Sequence, residues 1–256
     1  MKVLVKKISV FFAVLYVAMG IFLYVEQRSF IYFPTQNIKV SYPTMTLHND
    51  GESINVIVVN EGYDKAILYF GGNAESMAQS TGYLEAQFPE FTTYMMDYRG
   101  YGASSGEASE KALYKDALKL YDLIAPKHNV ICIGGRSLGS GVATYVASLR
   151  EVSKLALITP FDSIVSVAKG RYPMYPVSWL IKDRYDSASR AKDIKAKTFI
   201  VVAENDKVIP RQNSENLIDA FTPEQLKVTI IKNRGHRNIS SDEKYYKIMQ
   251  DFIAEG

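Results

Sequence analysis

Ser137 has the spacing of a catalytic nucleophile, because it lies in a G-x-S-x-G pattern at 135–139, directly after the apolar run 130–134. A serine on a sharp strand-to-helix turn projects its hydroxyl above the sheet, and such a turn needs small residues two positions before and after it. The same short pattern also occurs by chance in glycine-rich turns. A predicted strand before Ser137 and a predicted helix over 138–150 favour the nucleophile.

A nucleophilic serine needs a general base, and the chain contains three histidines, His48, His128 and His236. The active site of a parallel sheet lies at the carboxyl ends of its strands. His128 precedes the strand that leads to Ser137, so it belongs to the opposite edge, and His48 lies upstream of the alternating elements. His236 follows the predicted strand 228–231, and we therefore predict His236 as the base.

The acid that orients the base should follow the predicted strand 198–203. Glu204 and Asp206 both lie on this loop, and we predict Asp206 as the acid. Asp162, on the loop after the preceding strand, is the alternative, because some hydrolases take the acid from that loop. The chain order of serine, aspartate and histidine is the order found in α/β-hydrolases.

Two backbone N–H groups are candidates for an oxyanion hole. The N–H of Leu138 opens the helix after the serine, where the helix N-terminus favours negative charge. The second predicted donor is the N–H of Asn73, which follows two glycines after the predicted strand 66–70, and Gly72 is the fallback. Glycines at this position let the backbone approach a substrate closely.

Short apolar runs alternate with longer segments of helical periodicity along most of the chain. Several runs are apolar throughout, which is typical of strands buried on both faces of a parallel sheet. We predict strands over 54–59, 66–70, 92–97, 130–134, 155–159, 198–203 and 228–231, and helices over 74–88, 107–125, 138–150, 213–220 and 242–253. This alternation predicts an α/β fold, a mostly parallel sheet with helices on both faces.

Residues 161–190 interrupt the alternation with prolines, aromatic residues and many charges. We predict that this segment forms a small cap over the catalytic edge of the sheet. An ordinary crossover helix with long loops is the alternative. Trp179 and Met174 are the predicted substrate-contacting side chains of the cap, and Gly72 is a third candidate contact.

An uncharged apolar run over residues 8–25 follows Lys2, Lys6 and Lys7. As a helix it would span about 27 Å, close to the ~30 Å core of a bilayer. The positive-inside rule then predicts a cytoplasmic N-terminus and a catalytic domain on the periplasmic or lumenal side. A signal peptide cleaved near 18–20 and a buried helix are the alternatives. We predict an anchor over 1–28 and a hydrolase domain over 29–256.

Composition narrows the classes of function. Hydrophobic residues make up 47% and charged residues 22% of the chain, as in globular proteins. A single cysteine, Cys132, excludes an intramolecular disulfide and a cysteine metal cluster. Residues 1–28 carry the whole net charge of +3, so the remainder is formally neutral and offers no basic surface for nucleic acid.

Taken together, these motifs resemble the membrane-anchored serine hydrolases of the α/β-hydrolase superfamily, the branch with acyl-protein thioesterases and lysophospholipase-like enzymes. The resemblance runs from around residue 30 to the C-terminus, and its matching segments are 70–74, 97–106, 135–141, 206–210 and 235–236. Gly71 stands where many relatives carry a supporting histidine. The resemblance implies hydrolysis of acyl esters or thioesters through an acyl-enzyme, with no metal or organic cofactor. A peptidase of the same fold and a catalytically silent binding protein are the alternatives.

Overall fold

The computed structural model describes residues 2–254 and has an N-terminal helix followed by one sheet with helices on both faces. The strands are β1 Thr44–Asn49, β2 Glu52–Val59, β3 Lys65–Phe70, β4 Thr92–Met96, β5 Val130–Arg136, β6 Lys154–Ile158, β7 Lys197–Ala203 and β8 Leu226–Ile231. The helices are α1 Lys2–Glu26, α2 Met77–Gln87, α3 Glu110–Ile124, α4 Leu138–Leu149, α5 Ile164–Arg171, α6 Val177–Leu180, α7 Ser187–Arg190, α8 Arg211–Ile218 and α9 Glu243–Ala254.

The eight strands form one sheet in the order β1-β2-β4-β3-β5-β6-β7-β8. The six strands β3 to β8 all run parallel to one another, whereas β2 runs antiparallel to both β1 and β4. The predicted α/β fold with a mostly parallel sheet is confirmed. The parallel strands bring their carboxyl ends to one edge, where ligands bind in sheets of this kind.

Two apolar layers cover the two faces of the sheet, since alternate strand residues point to opposite sides. In β5, for example, Ile131 and Ile133 belong to the layer under α3 and α4, and Cys132 belongs to the layer under α2 and α9. The amphipathic helix α3 begins at Glu110 rather than at the predicted 107. The side chain of Ser109 accepts a hydrogen bond from the Ala112 N–H and so caps the helix.

The loop after β4 is a structural support rather than a reactive site. Arg99 donates from Nε and Nη2 to the buried carboxylate of Asp116, each at 2.8 Å. Asp97 accepts from the side chain of Asn55 at 2.9 Å, and burial raises the pKa of its carboxyl. Gly102 has a φ of +52°, and a Cβ there would lie 2.2 Å from Asp97, so only glycine fits against this carboxylate.

Residues 161–190, which we call the cap segment, connect β6 to β7 through the three short helices α5, α6 and α7 instead of one crossover helix. Helix α5 starts where Ser163 accepts from the Ser166 N–H and ends at Arg171, two residues before Pro173. The break lets the chain double back toward the N-terminal helix.

Helix α1 stands apart from both apolar layers. It is 25 residues long with a mean hydropathy of 2.4 over its most apolar stretch, and none of its residues is buried. At 1.5 Å per residue it measures about 37 Å. It is long and apolar enough to cross a membrane.

Candidate active site

Ser137 occupies a strained turn between β5 and α4, with φ 50° and ψ −115°. A Cβ at Gly135 would lie 2.5 Å from the carbonyl oxygen of Gly139, and a Cβ at Gly139 would lie 2.0 Å from the carbonyl oxygen of Phe70. Both positions therefore require glycine. Backbone packed this closely holds the serine in a conformation that non-glycine residues rarely adopt.

The structure brings together the three residues that the sequence analysis named as nucleophile, base and acid. The His236 Nε2 atom lies 2.9 Å from the Ser137 Oγ atom, and the His236 Nδ1 atom lies 2.7 Å from Asp206 Oδ2. An ionised carboxylate can only accept, so Nδ1 donates to Asp206 and Nε2 accepts from the serine hydroxyl. This is the arrangement by which a serine is deprotonated during attack.

The carboxylate of Asp206 is held by the backbone that follows it. Its Oδ1 atom accepts from the N–H groups of Val208 and Ile209, both at 2.8 Å. The second oxygen is thereby directed at His236. These bonds fix the orientation of the carboxylate against the imidazole.

The other acidic candidates have structural partners. Asp162 accepts from the side chains of Asn213 and Asn216 and from the Ser163 N–H, so it joins α8 to the start of α5. Glu204 accepts from the backbone N–H of Asn233 at 2.7 Å. Neither carboxylate is a hydrogen-bond partner of His236 in the described residues 2–254.

The two remaining histidines lie away from Ser137, one just before a strand and one in a strand. His128 precedes β5, where its Nε2 is 2.9 Å from the Tyr94 hydroxyl and its Nδ1 is 2.9 Å from the Tyr63 carbonyl. Burial lowers the pKa of its imidazole. His48 lies in β1, with its Nδ1 3.2 Å from the Ser53 hydroxyl. Both therefore belong to the scaffold.

The loop after β3 presents Asn73 to the serine. The Gly72 N–H is already used, because it donates to Glu75 Oε2 at 2.9 Å, which removes Gly72 as the fallback oxyanion donor. The Asn73 carbonyl accepts from the Tyr101 hydroxyl at 2.8 Å and from the Phe33 N–H at 3.2 Å. Within residues 2–254 the Asn73 N–H has no acceptor, and Asn73 lines the same cavity as Ser137.

Gly71 departs from the resembled family, and packing explains why a glycine fits there. A Cβ at Gly71 would lie 2.3 Å from the methyl group of Met77, the first residue of α2. The Gly71 carbonyl accepts from the Tyr98 hydroxyl at 2.8 Å. The loop is thus supported by a methionine and a tyrosine at the place where many relatives carry a histidine.

Glu75 and Arg136 contribute to the site, and the sequence analysis did not identify them. Besides binding the Gly72 N–H, Glu75 lies 3.9 Å from the guanidinium of Arg136. Arg136 in turn donates to the backbone carbonyl of His236 at 3.2 Å. The pair therefore connects the Asn73 loop with the histidine loop. Arg136 stands next to Ser137 in the G-x-S-x-G pattern, at a position that the pattern leaves free.

A cavity of about 210 Å³, lined mostly by apolar atoms, opens onto Ser137 and Leu138. The cap segment lines it with Phe161, Ile164, Val167 and Tyr172, and the loop after β7 lines it with Val208 and Ile209. Asn73 lies at the same cavity, and the N-terminal segment contributes Gly20, Leu23 and Tyr24 of α1 and, just after the helix, Gln27, Phe30 and Ile31. A dry apolar cavity of about 150 Å³ is already large enough for benzene, so this one has room for part of an acyl chain.

The structure does not place Trp179 or Met174 on this cavity, contrary to the prediction for the cap. Trp179 is 89% exposed and Met174 is 67% exposed. Both side chains lie on the outer surface of the cap segment, while Tyr175 and Val177 face the cavity. Gly72 is not among the lining residues either, although a Cβ there would lie 3.7 Å from the Ser137 Cβ.

The fold is that of the α/β-hydrolases. An esterase of Pyrococcus furiosus, Pf2001, superposes with a TM-score of 0.68 at 15% identity, covering 87% of this chain and 97% of that one. The enol-lactonase of Burkholderia xenovorans superposes with a TM-score of 0.64 at 14% identity, covering 82% and 100%. Residues 70–239 match the serine hydrolase (FSH1) family, and the chain belongs to that family.

Relatives by sequence include proteins with and without an assigned activity. An uncharacterized protein of Mycobacterium tuberculosis is 27% identical over 240 residues, which cover 87% of this chain and 85% of that protein. Lysophosphatidylserine lipase ABHD12 of Xenopus tropicalis is 30% identical over 228 residues, which cover 73% of this chain but 57% of the lipase. The chain thus spans little more than half of the lipase.

Proposed function

We propose that this serine hydrolase cleaves carboxylic esters or thioesters with an apolar acyl chain, through an acyl-enzyme on Ser137, while anchored in a membrane by α1. The observation that carries the proposal is the apolar cavity that opens onto the Ser137–His236–Asp206 hydrogen-bond chain. The esterase among the structural neighbours and the lysophosphatidylserine lipases among the relatives support a lipid-like ester as the substrate.

In the first half-reaction the Ser137 Oγ atom attacks the acyl carbonyl carbon, and His236 Nε2 takes the hydroxyl proton. The N–H groups of Leu138 and Asn73 stabilise the oxyanion of the tetrahedral intermediate. The bond to the leaving alcohol or thiol then breaks, and His236 delivers the proton to it. Asp206 stabilises the imidazolium throughout and keeps its own proton-free form.

In the second half-reaction a water molecule takes the place of the leaving group. His236 removes a proton from this water as its oxygen attacks the acyl carbon. The intermediate collapses, the acid product leaves, and the proton returns to the Ser137 oxygen. All of the proton transfers use groups of the chain and water.

The anchor proposal rests on the length and apolar character of α1 and on the three lysines near its start. The charge bias favours a cytoplasmic N-terminus with the catalytic domain on the other side. Full-length protein should remain with membranes after an alkaline carbonate wash, and its first residue should be Met1. A mature chain that begins near Ile21 would show that the segment is a cleaved signal peptide.

Labelling with a fluorophosphonate tests the proposed role of Ser137 as nucleophile. The full-length protein should be labelled and Ser137→Ala should not be, while both have the same circular dichroism spectrum. Equal labelling of the variant would refute the proposal, and absence of labelling in the wild type would favour a silent binding protein. A panel of long-chain esters, thioesters and aminoacyl amides then identifies the substrate class, and a preference for the amides would favour a peptidase.

A further inference from the structure

Helix α1 is part of the wall of the Ser137 cavity. Gly20, Leu23 and Tyr24 face the same space as Ser137 and Leu138. Gly20 and Leu23 are half-buried in a helix whose other faces are exposed. A helix that served only as a tether would have no reason to contact the catalytic cavity, and without α1 one side of the cavity would be open.

Rings and hydrogen bonds fix the middle of α1 against the cap segment. Tyr16 and Tyr175 stack at 4.7 Å between ring centroids, with 10° between the ring planes. The Tyr16 hydroxyl donates to the Met174 carbonyl at 2.6 Å, and the Tyr175 hydroxyl donates to the Tyr16 carbonyl at 3.2 Å. A Cβ at Gly20 would lie 3.1 Å from the Tyr175 ring, so glycine leaves room for this ring against the helix.

The C-terminal end of α1 is held to the same segment by polar groups. Gln27 donates to the Leu180 carbonyl at 3.3 Å and accepts from the Lys182 N–H at 2.6 Å. Arg28 forms an ion pair with Asp183 at 2.9 Å. The contacts extend from Tyr16 to the end of α1, about 15 Å of helix, and continue over the two residues that follow it. The cap segment is thus fixed along the last turns of α1.

This contact determines how deeply the cap segment lies in a bilayer that α1 crosses. Tyr16 is nine residues before Val25, the end of the uncharged run, which corresponds to about 13 Å along the helix. The tip of the cap beside Tyr16 therefore lies within the hydrocarbon layer. The hydroxyls of Tyr16 and Tyr175 both donate to backbone carbonyls, as an environment without water requires.

The outer surface of the cap segment fits the same environment. Met174 and Trp179 are the exposed apolar side chains that the cavity does not use. The ammonium of Lys182 lies 4.4 Å from the ring centroid of Tyr24, two residues before the end of α1. Tyrosine, tryptophan and lysine are the residues that mark the headgroup level of membrane proteins.

We propose, as a consequence of the ester-hydrolase function above, that α1 is the outer wall of the acyl site and that the acyl chain enters the cavity directly from the leaflet facing the catalytic domain. The substrate is then an amphiphile with its acyl chain in that leaflet and its ester near the headgroups. Leu23 and Gly20 contact the chain, and the embedded cap tip keeps the entrance free of water.

A pair of tryptophan substitutions on α1 tests the wall. Leu23→Trp fills the cavity, whereas the matched control Ile21→Trp adds the same bulk on a side that is 59% exposed and does not line it. In full-length protein in vesicles, Leu23→Trp should lower kcat/KM for a dodecanoyl ester at least about tenfold and leave an acetyl ester within about twofold. Ile21→Trp should leave both unchanged.

Equal loss of dodecanoyl and acetyl ester hydrolysis in Leu23→Trp, or no loss at all, would overturn the proposal. Fluorophosphonate labelling of Leu23→Trp shows that its active site is folded. If that labelling is lost, Leu23→Ala takes its place, and the expected result is a loss for the dodecanoyl ester alone. A wild type that is unlabelled and inactive on every ester would instead refute the proposed function. The quenching measurement below would then still test the depth of the cap segment in the bilayer.

The depth of the cap segment in the bilayer can be measured without an added label, because Trp179 is the single tryptophan of the chain. Full-length wild-type protein is reconstituted into phosphatidylcholine vesicles with bromine on the acyl chains. Bromine should quench the Trp179 emission strongly, and aqueous acrylamide should quench it weakly. Strong acrylamide quenching with no effect of the brominated chains would place the cap in water and overturn entry from the bilayer.

Discussion

Ser137 and the wall of its cavity are held in place by different kinds of contact. The serine turn packs backbone against backbone, so that Gly135 and Gly139 have no room for a methyl group. The wall includes α1, α5 and α6, and ring stacking, side-chain hydrogen bonds and the Arg28–Asp183 ion pair join the N-terminal segment to the cap segment. Much of that contact lies on the surface of the described residues.

The difference separates two requirements of an esterase. Chemistry needs the nucleophile, base and oxyanion donors fixed to within a fraction of an ångström, which buried backbone contacts achieve. Selection of an acyl chain needs only apolar area of suitable shape, worth roughly 25 cal/mol per Å². Substitutions in the turn should therefore abolish every activity, whereas substitutions in the wall should change only the preference for chain length.

Removal of the nucleophile or the base should have the largest effect. Ser137→Ala and His236→Ala should each lower kcat by about 10⁴-fold or more for long and short esters alike, because both lose the proton-coupled attack. His128→Ala, a histidine with scaffold contacts only, is the control and should keep its activity. Steady-state hydrolysis of acetyl and dodecanoyl esters provides the measurement, and a variant of Ser137 with normal turnover would contradict the assignment.

The next largest effect should follow from Asp206→Asn. The amide no longer balances the imidazolium charge and no longer selects the Nδ1–H tautomer, so kcat should fall by about 10³- to 10⁴-fold with KM little changed. Asp162→Asn is the matched variant on the neighbouring loop. It breaks bonds to Asn213 and Asn216 and should lower thermal stability while most activity remains. The reverse pattern would identify Asp162 as the acid.

Gly139→Ala should break the backbone packing of the serine turn. Its methyl group would meet the Phe70 carbonyl at 2.0 Å, so either the turn or β3 must shift. A misplacement of about 1 Å at the reacting groups costs on the order of 10²-fold in rate, and overpacking costs about 1–3 kcal/mol of stability. Gly170→Ala, in α5 with no atom within 4 Å of its Cβ, should be neutral or stabilising. If the two substitutions changed the rate of ester hydrolysis and Tm equally, the packing explanation for the serine turn would be contradicted.

The elements with local signatures could be predicted from the sequence. Short apolar runs identified seven of the eight strands, and the positions of the three histidines relative to the strand ends left His236 as the predicted base, which lies 2.9 Å from the Ser137 hydroxyl. Strand β1 was missed because its residues are mostly exposed, with Leu47 as its buried side chain. A half-exposed edge strand has no continuous apolar run to detect.

The cavity wall could not be predicted, and the reason is physical. The apolar residues 20–25 suit lipid and an acyl cavity equally well, so their composition does not distinguish a tether from a wall. Trp179 and Met174 are large and apolar, but size does not indicate which side of α6, or of the turn before it, faces inward. Glu75, on the loop after β3, and Arg136, at the end of β5, are far apart in the sequence, and no local spacing indicates their contact.

A substitution within the cap should have a smaller and selective effect. Val167→Trp on α5 should narrow the cavity and lower kcat/KM for a dodecanoyl ester by about 10- to 150-fold, the equivalent of about 1.5–3 kcal/mol of lost apolar contact. The acetyl ester should be nearly unaffected. Lys169→Trp adds an aromatic ring on the exposed side of the same helix and should change neither ester. Parallel losses on both esters would show that the cap supports the serine turn instead of the acyl chain.

The Cys132 thiol should not react with iodoacetamide in the wild type. Its labelling rate therefore reports whether a substitution in the serine turn or in the cavity wall loosens the sheet. Burial raises the pKa of its thiol to about 11, so roughly one thiol in a thousand is ionised at pH 8. In the unfolded chain, with a pKa near 8.5, about a quarter of the thiols would be ionised and open to iodoacetamide. Wall variants such as Val167→Trp should leave the labelling rate unchanged, because Cys132 lies in the sheet interior. Gly139→Ala should raise the rate about tenfold for each 1.4 kcal/mol of lost stability. Fast labelling of the wild type would show that the strand beneath the serine is not closed.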